Sequence, residues 1–264
     1  MISSVGRDPL GDEILKVAQE KGVDIEYVTR ARAGLPTGTV LVTLDANANA
    51  TYELVQPAAW DEIRVPQAAL EAVAKSRALI FGSLAGRSPY NPEQLERLLA
   101  VSGPLKFFDV NLRAPFINPE LVIGLAKHAD VMKLNDNEAG GLAAWLRTGQ
   151  LTEGAAETLE DLAAACAALA AATGVERVCV TRGPRGAALW DRGKLLCAPA
   201  PQVVVRDTVG AGDAFMAGLV VGLARGADTR KTLEGACRLG AYVASHYGAT
   251  PLLPPELIEE FKAA

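Results

Sequence analysis

The chain has 264 residues, half of them apolar and 5% aromatic, with 26 Lys+Arg against 31 Asp+Glu and a formal charge of −5. A chain this long buries roughly 70 to 75% of its unfolded surface, enough for a full core without disulfides or metals. No Lys/Arg cluster marks a nucleic-acid or anionic-membrane partner. The longest apolar run, 162–172, has 11 residues, where a membrane span needs roughly 18. The first 13 residues hold no apolar segment of signal-peptide length, so the expected location is cytoplasmic.

In chain order, the pattern predicts a helix over 12–21, then a β-hairpin from GTVLVTLD at 38–45 and a second extended run at 51–55, with the turn-like DANANA between them. Continuous apolar runs at 78–81, 105–110, 129–134 and 178–181 suit strands covered on both faces. Helical stretches at 67–76, 92–101, 119–127, 137–146 and 158–173 alternate with them. The alternation implies a mostly parallel sheet flanked by helices in one α/β domain. The alanine-rich 158–173 carries a capping box, Thr158 with Asp161, and a stop at Gly174. A second hairpin, 186–190 with 195–198, precedes an extended 202–205, a loop over 206–212, an apolar helix over 213–224 and a final helix over 229–247. Cys166, Cys179, Cys197 and Cys237 are too far apart for a metal or redox motif and are read as buried thiols.

The densest chemical signal is Asp207-Thr208-Val209-Gly210-Ala211-Gly212-Asp213-Ala214-Phe215, between an extended run and a buried helix. Gly210 and Gly212 let the backbone turn closely around a ligand, and the helix start offers unpaired N–H groups and a positive dipole end, which together suit an anion. Asp213 in that first turn costs energy beside a phosphate unless it accepts the proton of an attacking hydroxyl. The alternative is an ordinary helix N-terminus, where Asp is favoured. No G-x-x-x-x-G-K-[ST] occurs, and Phe215 stands where a dinucleotide fingerprint needs a third glycine.

This DTVGAGDAF resembles the C-terminal signature of the PfkB or ribokinase-like carbohydrate kinases. Lys133-Leu-Asn135-Asp-Asn-Glu138 is similar to the family's K-x-N-x-x-E, and Val180-Thr181-Arg-Gly183-Pro-Arg-Gly186 to its V-T-x-G-x-x-G. The resemblance implies a ribokinase-like α/β fold in which residues 38–57 form part of a small β lid. It implies ATP-dependent phosphorylation of a sugar hydroxyl with Asp213 as general base, and with Gly210, Ala211 and Gly212 as an anion hole. Asn135 and Glu138 would organise Mg²⁺ through its waters. Thr181, Gly183, Gly186 and Thr208 would lie along the nucleotide. Asp207, with the carbonyl of Val209 and the backbone near Gly248, resembles the monovalent-cation site, for K⁺, of some members. Asp109-Val-Asn111-Leu-Arg113 looks like the D-x-N-x-R of fructokinases and ketodeoxygluconate kinases, which makes Asn111 and Arg113 substrate contacts beside Asp213. Pro36 to Val40 and Ala59-Trp60-Asp61 are similar to fructokinase-like members.

The implied activity is fructokinase-like. A kinase for 2-keto-3-deoxygluconate or a nucleoside is the alternative, and a catalytically silent nucleotide-binding protein the third. Its partners would be the small-molecule sugar and a second copy of the chain through the lid. The family pattern starts earlier than this chain: its first strand, first lid strands and Gly-Gly-x-x-x-Asn segment have no counterpart before Val5-Gly6-Arg7-Asp8. A start codon assigned too late is the favoured reading, over a shortened gene product or replacement of the missing parts by association.

Overall fold

The structure, a computed structural model, describes residues 1–32, 34–44, 50–152, 154 and 156–263. They form two compact units, Met1–Ser76 with Ala85–Pro104, and Arg77–Leu84 with Leu105–Ala264.

In the first unit, β1 (Ile2–Val5) and β2 (Tyr27–Arg30) pair in parallel around α1 (Pro9–Glu20). The helix starts before the expected 12 because Asp8 caps it, accepting the Gly11 N–H at 2.8 Å, and because Pro9 occupies the position where a missing N–H costs nothing. The same carboxylate accepts the N–H of Thr37 at 2.8 Å and its hydroxyl at 2.6 Å, and the Gly6 N–H donates to that hydroxyl at 2.9 Å. These bonds, led by the Thr37 hydroxyl, hold Asp8 below the usual carboxylate range. The predicted first hairpin is present as β3 (Val40–Leu44) and β4 (Ala50–Leu54), antiparallel with Val40 opposite Leu54. Its expected tip, 45–49, lies outside the described residues. Asp61 accepts two bonds from Arg87, at 2.7 and 3.0 Å, and the guanidinium lies 3.5 Å from the Trp60 ring centroid. Here the Pro36 to Val40 and Ala59 to Asp61 stretches make internal packing and hydrogen bonds. Helices α2 (Gln67–Ala74) and α3 (Asn91–Leu99) complete the unit.

The second unit holds a six-stranded sheet of β5 (Ala78–Gly82), β6 (Leu105–Asp109), β7 (Val131–Asn135), β8 (Arg177–Thr181), β9 (Ala187–Asp191) and β10 (Lys194–Ala198). The order is β10-β9-β8-β7-β6-β5, parallel from β5 to β8 and antiparallel beyond. Helices α4 (Pro119–Ala126), α5 (Asp136–Thr148), α6 (Leu159–Thr173), α7 (Ala211–Ala224), α8 (Thr229–Ala244) and α9 (Pro255–Ala263) accompany it. The runs that form β6, β7 and β8 are covered as expected: Phe107, Val131 and Cys179 pack with Phe215, Leu219 and Leu233 from α7 and α8. The run at 78–81 is not, because β5 is the edge strand of this sheet and Ile80 is 51% exposed. The alternate residues Phe108, Met132, Val178 and Val180 are equally buried and point the other way. The capping box of α6 forms as expected, with Thr158 Oγ1 accepting the Asp161 N–H at 3.0 Å. Of the four thiols, Cys166, Cys179 and Cys237 are buried, whereas Cys197 is half-buried near the end of the outermost strand, β10. Burial pushes Cys166 up to about 12, which leaves it an unreactive thiol.

Helices α7 and α8 approach closely. A Cβ on Gly218 would stand 3.0 Å from the Ala236 Cα, and one on Gly222 would stand 2.4 Å from the Thr232 side chain. The seam holds α7 along most of its length, and α7 carries the glycine-rich motif at its start.

Candidate active site

Parallel strands bring their C-terminal residues side by side, and the polar residues that end the apolar runs collect there. Asp109 ends β6 directly opposite Lys133, and Asn135 ends β7 opposite Thr181, which ends β8. Alternation gives Asp109 and Lys133 the same face as Phe107 and Val131, the face that α7 covers. The Lys133 ammonium donates to both Asp109 oxygens, at 3.0 and 3.1 Å, with the side chains 10% and 14% exposed. A Cβ on Gly212 would stand 3.4 Å from Lys133 Nζ, so this charge lies directly beneath the glycine-rich turn. Burial pushes the Asp109 carboxyl up, Lys133 pulls it down, and the charges of Asp213 and Arg113 also reach it. Four charged groups, from two strands, one loop and the first turn of α7, therefore share one locality. Sequence reading named Asp109 and Lys133 only as members of motifs. Their signal was available, since an Asp and a Lys at the ends of adjoining apolar strands must pair if buried.

The glycine-rich motif opens α7. Gly210 has φ +81°, and a Cβ on it would stand 2.5 Å from the Ala249 carbonyl oxygen, so only glycine fits. No side chain caps the helix. The Ala211 N–H donates to the Thr208 carbonyl at 3.2 Å and that of Ala214 to Gly210 at 2.9 Å. Among the described residues, the Gly212 and Asp213 N–H groups of this first turn show no backbone partner, whereas that of Ala211, expected in the anion hole, is engaged by Thr208. Asp213 itself is exposed. Asp207 ties the loop: one oxygen accepts the Val209 N–H at 2.9 Å and the other the Gly248 N–H at 3.0 Å. Both oxygens thus bond the Val209 and Gly248 segments of backbone, the groups expected with Asp207 around a monovalent cation.

Asn135 and Glu138 form a reciprocal capping box at the start of α5. Asn135 Oδ1 accepts the Glu138 N–H at 2.8 Å, and Glu138 Oε2 accepts the Asn135 N–H at 2.8 Å. Glu138 Oε1 reaches across to the Leu112 N–H at 2.7 Å, between Asn111 (φ +45°) and Arg113. Burial pushes the Glu138 carboxyl above the usual carboxylate range, against the pull of those two N–H groups. Arg113 is exposed, with one Nη on its neighbour's carbonyl.

Thr181, Gly183, Gly186 and Thr208 line a cavity of about 470 Å³ together with Phe215 and Ala241, and Val203 and Val205 of the segment 202–205, which forms no strand. Its walls are mostly apolar, and Gly212 at the start of α7 is among them. Arg182 and Arg185 both donate to the Glu157 carbonyl, at 3.0 and 3.1 Å, and Arg185 also bonds Asp136 at 2.5 Å, which anchors the turn to the start of α5.

Residues 1–256 match the family described as pfkB family carbohydrate kinase. The chain is 30% identical over 233 residues to a fructokinase of Klebsiella pneumoniae, covering 84% of this chain and 70% of that protein. It is 29% identical over 278 residues to the aminoimidazole riboside kinase of Salmonella typhimurium, covering 98% of this chain and 81% of that one. The crystal structure of aminoimidazole riboside kinase from Salmonella enterica, complexed with aminoimidazole riboside and an ATP analog, superposes with a TM-score of 0.74 at 25% identity, over 98% of this chain and 84% of that one. No helix among the described residues is long and apolar enough to cross a membrane.

Proposed function

The chain belongs to the pfkB family of carbohydrate kinases, phosphotransferases with a sugar acceptor, and from that premise we propose that it moves the γ-phosphoryl group of ATP to a hydroxyl of a fructose-like sugar, with Asp213 as general base. The observation that carries this reading is the start of α7: an uncapped helix N-terminus, opened by a glycine that no other residue can replace, with a carboxylate in its first turn.

Asp213 takes the proton of the acceptor hydroxyl as its oxygen bonds to the γ-phosphorus. The bond from that phosphorus to the β–γ bridging oxygen breaks, and ADP leaves with the electron pair. The N–H groups of Gly212 and Asp213, the dipole of α7 and the Lys133 ammonium meet the negative charge on the transferring group. The cavity beside Thr181, Gly183, Gly186 and Thr208 takes the nucleotide, and Asn111 and Arg113 hold the acceptor.

Among the described residues no cluster of three His, Cys, Asp or Glu side chains binds a metal unaided. Mg²⁺ keeps most of its waters and is held largely by phosphates. Glu138 and Asn135 would receive it through water, because each Glu138 oxygen accepts a single N–H and keeps a lone pair for a metal-bound water. When bound, Mg²⁺ shields phosphate charge.

A riboside acceptor is the second reading, favoured by the 29% identity to aminoimidazole riboside kinase over 98% of this chain. The test is ADP release with Mg²⁺-ATP and D-fructose, D-ribose, 2-keto-3-deoxygluconate, adenosine or aminoimidazole riboside, beside Asp213→Ala. Turnover with fructose that the substitution abolishes is expected. Turnover with ribosides alone selects the second reading. Nucleotide binding without transfer to any acceptor refutes both and leaves a silent nucleotide binder.

A further inference from the structure

Glu138 does more than its capping box requires. The box uses one carboxylate oxygen, Oε2, on the Asn135 N–H at 2.8 Å. The other oxygen is 2.7 Å from the N–H of Leu112, 26 residues earlier, and the side chain is 8% exposed. The chain leaves the sheet just before this contact. The Val110 N–H makes a last ladder-like bond to the Lys133 carbonyl at 2.9 Å, and the Ser83 hydroxyl holds the Val110 carbonyl at 2.5 Å. Asn111 then turns at φ +45°, a conformation that asparagine tolerates and that needs support from its surroundings. The Glu138 contact falls on the next residue, midway between the two side chains assigned to the acceptor.

We propose that Glu138 is a positioning residue for the acceptor: by holding the Leu112 N–H it sets the path of residues 111–113, and so the reach of Asn111 and Arg113. The inference rests on the reading of those two side chains as acceptor contacts. It gives one carboxylate two tasks, since the oxygens that would receive a metal-bound water also fix the acceptor loop, and it ties the two substrates' sites through a single side chain.

The discriminating variant is Glu138→Gln. A carboxylate accepts at both oxygens, whereas the amide offers one oxygen and one NH₂ group, so in either orientation one of the two backbone N–H groups faces a donor. The first measurement is amide hydrogen exchange at Leu112 and Asn135 in the apoprotein, without metal or nucleotide. Exchange at one or both is expected to speed up by roughly tenfold or more, the effect of one lost charge-assisted bond, while Asn135→Ala, which leaves both Glu138 oxygens in place, keeps Leu112 protected. The second is steady-state kinetics with D-fructose, or whichever acceptor of the panel the wild type turns over. The acceptor KM is expected to rise by about tenfold, with the KM for Mg²⁺-ATP within about threefold of wild type. Arg113→Ala and Asn111→Ala serve as references for loss of the acceptor contacts themselves.

Unchanged exchange at Leu112 in Glu138→Ala, which removes both oxygens, or at both Leu112 and Asn135 in Glu138→Gln, overturns the proposal. So does a variant that raises only the Mg²⁺ concentration for half-maximal rate while the acceptor KM stays put and Arg113→Ala raises it. If Arg113→Ala and Asn111→Ala both leave the acceptor KM unchanged, the assignment of the loop to the acceptor falls instead, and exchange at Leu112 separates that failure from failure of the clamp.

Discussion

Replacing Lys133 with Met leaves the Asp109 carboxylate buried and unpaired. The two side chains are 10% and 14% exposed, and both Asp109 oxygens lie within 3.1 Å of the ammonium, so water cannot take its place without rearrangement. Breaking one partner out of such a pair costs about 3 to 5 kcal/mol, chiefly as the desolvation of the stranded charge. Taking the lower figure, the melting temperature falls by roughly 6 to 12 °C for a chain of this size. Removing both charges, in Asp109→Leu with Lys133→Met, strands no polar group and recovers most of the loss. The pH dependence has a definite sign. Burial already holds the folded-state Asp109 above its ordinary 3.8, and Lys133 is the largest influence pulling it down. Stability tied to a raised acid is fully present below the unfolded pKa and lost as pH rises through the folded one. Without Lys133 the folded value rises further, so the window of loss widens upward, and the variant's deficit is larger near about pH 8 than near about pH 5. Urea denaturation followed by circular dichroism at both values, for wild type, the single and the double variant, measures all of this. A single variant as stable as wild type near pH 8, or one no less stable than the double, refutes the buried-pair account.

Asp213→Asn, which keeps shape and removes the base, is expected to lower kcat by about 10² to 10⁴ with nucleotide affinity retained, as read by single-turnover transfer and by titration with an ATP analogue. Gly210→Ala forces a Cβ to within 2.5 Å of the Ala249 carbonyl oxygen at φ +81°. It should cost at least about 1 to 2 kcal/mol in stability and lower kcat by displacing the first turn of α7. Thr158→Ala removes the α6 cap, so about 1 kcal/mol of stability should be lost with kcat and both KM values unchanged.

The parts most legible in the sequence were those whose physics is local. The runs that became β6 to β8 are apolar on both faces and are buried, and the α6 cap and stop sit within one turn of the residues they serve. The motif before α7 was readable for the same reason: its glycines and its carboxylate act on their own backbone neighbourhood. The pairing of β1 with β2 was not readable, because Ile2-Ser-Ser-Val5 has no alternation and its bonds go to residues 25 positions away. The early start of α1 was hidden because Pro9 looks like a breaker until Asp8 is seen capping it. Helix α9 is short and follows several prolines, and its Phe261 matters only where it meets the seam at Gly218 and Gly235. The motif Lys133 to Glu138 was recognised, yet its two long-range bonds, to Asp109 and Leu112, are matters of register that no spacing within the motif contains.

The seam between α7 and α8 gives the turn proposed to be catalytic a remote dependence. Gly222 lies nine residues beyond Asp213, about 14 Å along the helix axis. The helix is a stiff rod gripped over its far half, where glycines let the two backbones touch, and its aim at the near end is only as true as that grip. A methyl group added at Gly222 would push against Thr232, 2.4 Å from the new carbon, and tilt the rod. A displacement of about 1 Å at a reacting group is enough to cost roughly a hundredfold in rate. The carboxylate's accuracy is thus stored where no substrate ever comes, in the smallness of two residues.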